Sequence, residues 1–257
     1  RIRASEAMIT LVLILAATLY SMNYMAGKKN LPDYYALLCM LSVGLIGVFL
    51  TSNLILFYFC WELMLVPAYF IVGEWGYKES YKQAFKLFIY THAGAVFVLL
   101  AIGAIYWLTG TARDALLGVN LPDVAKWILL ALTGGFAVKM AVVPVHMWLP
   151  DAHSEAPAPM SALLSGVIIS AGAYSILRLS LGMVFPAVGI TFGTSFLHGL
   201  AVVGVLSTFF GSLIALVSTD IKRLIAYSSI AHMGYVMFGL SLFPANAATG
   251  IGVFLAS

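Results

Sequence analysis

Two charged side chains stand inside otherwise apolar stretches: Glu62 in FYFCWELMLVPAYF and Lys139 in GGFAVKMAVVPVH. A charge at the centre of a bilayer costs about 2.5–3.5 kcal/mol on insertion scales, so each needs a compensating use. Both lie five residues before a proline, Pro67 and Pro144. A proline has no N–H to offer the carbonyl four residues back, which predicts free acceptors at Leu63 and Met140. Burial favours the neutral form of an ammonium group, and a nearby carboxylate favours the charged form. A Glu62–Lys139 pair whose separation changes would therefore load and release a proton. Held still, the same pair would be a buried ion bridge that fixes helix register.

Helical spacing places Gly135, Lys139, Val142, Val143 and His146 on one face, so Lys139 leads toward a polar stretch with His146, Asp151, His153 and Glu155. That stretch reads as a solvated funnel or a structural loop. Its spacing makes no compact ligand set, and no metal site is expected. His92 in KLFIYTHAGAVF and His232 in AYSSIAHMGY are candidates for proton relay or for plain bonds between helices. Together with Glu62 and Lys139, the histidines make a hydrophilic axis across several spans. His198 reads as structural, and Lys86, one turn inside its span, as a snorkelling cation. Ser161, Ser165, Gly172 and Ser175 approximate a small-residue face, suited to close packing or to a polar path.

The elements that position these groups must be membrane helices. Charged residues are 9% of the 257 and apolar ones 62%, against roughly 25% charged in soluble domains. Mean hydropathy is +1.02. Runs long enough to cross roughly 30 Å of hydrocarbon are expected at about 6–25, 33–51, 54–73, 80–108, 124–145, 158–183, 192–218 and 221–242, with a ninth opening near 245. Spanning strands would need a closed barrel of short alternating segments, which the pattern lacks. The fold class is therefore all-α, a polytopic transmembrane helix bundle with a broken helix near Lys139–Pro144. Thr219-Asp220 predicts a helix N-cap, followed by Lys222 and Arg223 at the membrane surface. A net charge of +3 spread over short loops leaves no nucleic-acid footprint. Cys39 and Cys60 lie inside apolar runs, and no phosphate loop, haem-attachment motif, iron–sulfur set or nucleophile elbow occurs, so no cofactor is expected. A start at Arg1 and a stop at Ser257 inside an apolar run read as the edges of an interior piece of a longer protein.

Five blocks occur in order over about 180 residues: FYFCWELMLVPAYFIVGEWG, FKLFIYTHAG, KMAVVPVHMWLPDAHSEAPAPMSALLSG, GAYSILRL and STDIKRLIAYSSIAHMGY. They closely resemble the antiporter-like subunits of respiratory complex I, a family shared with Mrp-type Na+/H+ antiporters and membrane-bound energy-converting hydrogenases. SEAPAPMSALLSGV is more similar to the M-type, Mrp and hydrogenase branch than to the L-type. The resemblance implies a 14-helix subunit of two inverted repeats. This chain would hold its third to eleventh helices, with the first repeat at about 33–183 and the start of the second at about 192–257. It also implies that Glu62 modulates Lys139, the main proton-handling group on a broken helix.

One position departs from the family. Many members carry a lysine before a Gly-Xaa-Tyr element, where this chain reads VIISAGAY with Ser170. A serine can hold water but cannot carry a proton as a cation at neutral pH. The resemblance implies an ion-translocating subunit for H+ and/or Na+ that couples redox energy to transport and does no bond chemistry itself. Other membrane subunits and a peripheral redox arm would be its partners, in an energy-coupling membrane such as the prokaryotic plasma membrane. Two alternatives stay open: a stand-alone Mrp-type antiporter subunit, and a structural subunit whose ion path is disabled at Ser170.

Overall fold

A computed structural model of the chain describes residues 2–112 and 122–243, and every regular element among them is helical. In order these are α1 (Ile2–Tyr24), α2 (Leu31–Leu50), α3 (Leu54–Leu63), α4 (Leu65–Trp75), α5 (Ser80–Thr109), α6 (Pro122–Met140), α7 (Trp148–Glu155), α8 (Ala158–Leu163), α9 (Ile169–Ser175), α10 (Ile190–Val217) and α11 (Ile221–Ser241). Seven spans among the described residues are long and apolar enough to cross a membrane, counting α3 with α4 as one and Ala158–Ala187 as one. The chain is thus a multi-pass membrane protein. The expected ninth span near 245 lies outside the described residues.

The hub is the span Ala158–Ala187, whose apolar window is 78% buried inside the protein, against 22% for α10. Lipid offers no hydrophobic advantage to helix association, so close backbone contact carries the packing. α5 and α6 meet in this way at Gly94 and Gly135. A Cβ on Gly94 would stand 2.9 Å from the Gly135 carbonyl oxygen, closer than any side chain tolerates.

The span expected at 54–73 is present, with a single turn at Met64 separating α3 from α4; two other expectations need correction. The span at 124–145 stops early: α6 ends at Met140, and residues 141–147 link it to α7. The hub is not one α-helix, because π-helical segments at Leu164–Ile168 and Ile176–Val184 flank α9. Each π segment shifts the angular register of the residues after it. The small-residue face therefore splits, with Ser165 turned toward α1 and Gly172 packed on the end of α6. The predicted cap is present: the Asp220 carboxylate accepts from Lys222 N–H at 2.8 Å.

Candidate functional site

Lys139 is the next-to-last residue of α6 and only 4% exposed. Its ammonium donates to the Trp61 carbonyl at 3.1 Å and lies 4.1 Å from the centroid of the Trp61 ring. Trp61 belongs to the last turn of α3, and its carbonyl oxygen has two lone pairs, so it can accept from Lys139. The acceptor lies two residues before the Leu63 carbonyl. The ring is held by Phe136 at 5.1 Å and Phe57 at 5.6 Å, so the cation–π contact is pre-formed.

Glu62 does not touch Lys139. Its carboxylate faces His92 on α5, with Oε2 3.1 Å from Nδ1, and the His92 ring stacks on Phe88 at 5.5 Å. The structure therefore joins two of the expected path residues as a pair and leaves Lys139 on a neighbouring backbone carbonyl. Trp61 was missed by sequence reasoning, although a tryptophan beside an intramembrane carboxylate in WELMLVP was a usable signal.

The break after Lys139 is built from several parts. Ala141 adopts the left-handed region, φ 57°, which no L-residue prefers. The Val138 carbonyl accepts from the Trp148 indole N–H at 2.9 Å as well as from Ala141 N–H at 3.2 Å. The Ser207 hydroxyl on α10 accepts from Val143 N–H at 2.9 Å, just before Pro144. A void of about 10 Å³ adjoins Lys139, bordered by Leu87, Thr91 and Trp148, which is at the lower limit for one water.

The expected face running from Gly135 through Lys139 to His146 does not exist, because helical periodicity ends at Met140. His146 lies in the link, and its Nδ1 is buried with no hydrogen-bond partner among the described residues. His153 on α7 is 3% exposed, and both its nitrogens lack a partner there. Asp151 is engaged structurally: Lys86 of α5 reaches it at 2.6 Å and Arg223 of α11 at 3.1 Å. The Glu155 carboxylate accepts from Glu79 N–H at 3.1 Å, and Lys222 donates to the Ala156 carbonyl at 2.6 Å. These contacts lash the broken helix to α5 and α11, with the His153 imidazole buried and His146 half-buried among them.

The remaining path candidates stand apart. The Nδ1 of His232 faces the Ser228 carbonyl of its own helix at 2.8 Å. Ser170 donates to the Val167 carbonyl at 2.9 Å. Pro67 lies inside α4, which continues past it to Trp75.

Residues 51–256 match a transmembrane family described as NADH:quinone oxidoreductase/Mrp antiporter. NADH-quinone oxidoreductase subunit M of Rhodobacter capsulatus is 42% identical over 234 residues, covering 85% of this chain and 44% of the relative. Its counterpart in Escherichia coli (strain K12) is 37% identical over 254 residues, covering 92% and 49%. A chain of the membrane-bound sulfane sulfur reductase, an archaeal respiratory membrane complex, superposes with a TM-score of 0.84 at 27% identity, covering 97% of this chain and 52% of that one. This chain spans about half the length of the relatives it matches.

Proposed function

The chain belongs to the NADH:quinone oxidoreductase/Mrp antiporter transmembrane family, and on that premise we propose that it is an ion-translocating subunit of a multi-subunit membrane complex, coupling redox energy to movement of H+ or Na+. The observation that carries this reading is Lys139: a nearly fully buried ammonium at a helix break, held by one carbonyl and one ring with no carboxylate in contact. A structural ion pair would have a carboxylate partner, and this lysine has a backbone carbonyl and a ring instead.

In the mechanism, Glu62 is the control. While it rests against His92, it makes no ion pair with Lys139. A shift of Glu62 toward α6 would strengthen the lysine's hold on its proton, and a return to His92 would weaken it. The small void beside Lys139 offers room for one water to pass the proton on. His146 and His153, whose Nδ1 atoms lack a partner among the described residues, are the acceptors beyond the break. His232 and the hub's Ser170 lie toward the second repeat. In this reading residues 33–183 are the first repeat and 192–257 the start of the second. Neighbouring membrane subunits and a peripheral redox arm are its partners.

A disabled path is the second reading, because Ser170 spends its proton on its own helix. One experiment separates the two. In the whole complex, in sealed vesicles, Lys139→Met is expected to lower ion uptake per redox turnover at least tenfold with assembly intact. Uptake at the parental ratio would sink the transport reading and leave the chain a scaffold.

A further inference from the structure

We propose that a second intramembrane ion site lies between α1, the hub and α11, in which the Glu6 carboxylate and the hydroxyls of Thr10, Ser165 and Ser170 hold a hard cation, either a proton or Na+. The cavity there measures about 280 Å³, room for several waters at about 30 Å³ each. Met233 and Val236 of α11 close its far wall.

Glu6 lies on α1 in a window that reads as membrane-spanning, and it is 8% exposed. It makes no hydrogen bond or ion pair among the described residues and lines the cavity. An isolated carboxylate out of water is among the costliest groups a protein can bury. Such a group is neutralised, either by taking up a proton or by holding a cation.

The hydroxyls around it are set to accept. Ser165 donates its proton to the Ser161 carbonyl at 3.2 Å, and Ser170 donates to the Val167 carbonyl at 2.9 Å. Their oxygen lone pairs remain for the cavity. Residues five apart point to different faces of an α-helix, but Leu164–Ile168 is π-helical, and both serines line the same space. A cavity walled by oxygen acceptors and one carboxylate suits a hard cation or a proton donor, not an anion. Other charged or titratable groups near Glu6 are already committed. Arg3 donates to the Ser52 hydroxyl at 2.6 Å, Tyr174 to the Phe49 carbonyl at 3.2 Å, and Arg178 to the carbonyls of Val48 and Thr51. α11 contributes no ionisable side chain to the lining.

This site goes beyond the Lys139 reading and can be tested without turnover. Infrared difference spectra of the intact complex would be recorded for exchange of choline for Na+ at fixed pH, and for a pH step in Na+-free medium. At least one exchange is expected to give a carboxyl band that Glu6→Gln abolishes and Ser170→Ala shifts. A band on Na+ addition assigns the ion as Na+, and a band on the pH step alone assigns it as H+. Spectra of Glu6→Gln that superimpose on the parent in both exchanges would overturn the site. If Glu6→Gln fails to assemble, Glu6→Asp keeps the carboxyl group, and an unmoved band in that variant overturns the site equally. The same band is expected in Lys139→Met, so failure of the transport reading would leave this result standing.

Discussion

The turns at Glu62–Pro67 and Lys139–Pro144 are alike in sequence and different in space. Each places a charge five residues before a proline in an apolar run. At the first, the chain stays in the right-handed region at Met64, φ −71°, and the helix resumes at once through Pro67 to Trp75. At the second, Ala141 turns left-handed and the helix does not resume until Trp148. A missing N–H alone therefore nicks a membrane helix without opening it. Opening needs other groups to take up the freed backbone, here the Trp148 indole and the Ser207 hydroxyl. The charge at the nicked turn reaches a histidine, and the charge at the open turn reaches a carbonyl across the bundle.

The comparison breaks most sharply where backbone meets backbone. A Cβ on Gly172 would stand 2.8 Å from Met140 N and 3.0 Å from the Phe136 carbonyl oxygen. Gly172→Ala should thus push α9 off the end of α6 and cost about 2–3 kcal/mol, the upper part of the range for overpacking. At the nicked turn, Gly44 faces the flexible Met64 side chain at 2.9 Å and backbone at 3.0 Å, so Gly44→Ala should cost less, about 1–2 kcal/mol. Gly103 on α5 has nothing within 4 Å, and Gly103→Ala should be neutral or mildly stabilising. Thermal unfolding of the purified complex would rank the three. Equal losses for Gly172→Ala and Gly44→Ala would deny that the open break is the more tightly clamped.

A smaller effect should come from the polar pins. Trp148→Phe keeps the ring's packing and removes the indole N–H from the Val138 carbonyl. Ser207→Ala takes the acceptor from Val143 N–H. Val143 N–H would lose its acceptor, while the Val138 carbonyl would lose one of two donors and keep Ala141 N–H, a cost of about 0.5–2 kcal/mol that is larger for Ser207→Ala. Each variant should lower thermal stability within that range and raise hydrogen exchange across 138–143. Exchange at 62–68 should stay as it was. Exchange rising equally at both turns would mean that the two breaks open together.

The charges were legible because lipid makes them conspicuous: Glu62 and Lys139 could not sit in apolar runs without a role. Pro144 likewise announced the end of a helix, and Asp220 its beginning. Pairings across the bundle were not legible. His92 could be named as a candidate, but only packing brings it to Glu62 in place of Lys139. The helical face through His146 failed because period counting assumes right-handed dihedrals, and Ala141 breaks them. Glu6 escaped notice because it opens its span, where a carboxylate reads as a surface residue; the covering hub makes it a buried one. The π segments that aim Ser165 and Ser170 together have no side-chain pattern of their own.

The smallest expected effect is the one in which the two turns should differ in sign. Ala141 holds φ 57°, a conformation that costs an L-residue roughly 1–2 kcal/mol and a glycine almost nothing. Ala141→Gly also frees the unfolded chain, which offsets part of the gain, so a net stabilisation of about 0.5 kcal/mol is expected. Ala68, just past Pro67, sits in regular helix within α4 and is 3% exposed. Ala68→Gly there loses helix propensity and a buried methyl, about 1 kcal/mol in the destabilising direction. The same substitution should therefore raise the melting temperature of the complex at one turn and lower it at the other. Destabilisation at both would mean that the left-handed residue is not under strain, and that the open break is held by its side-chain pins alone.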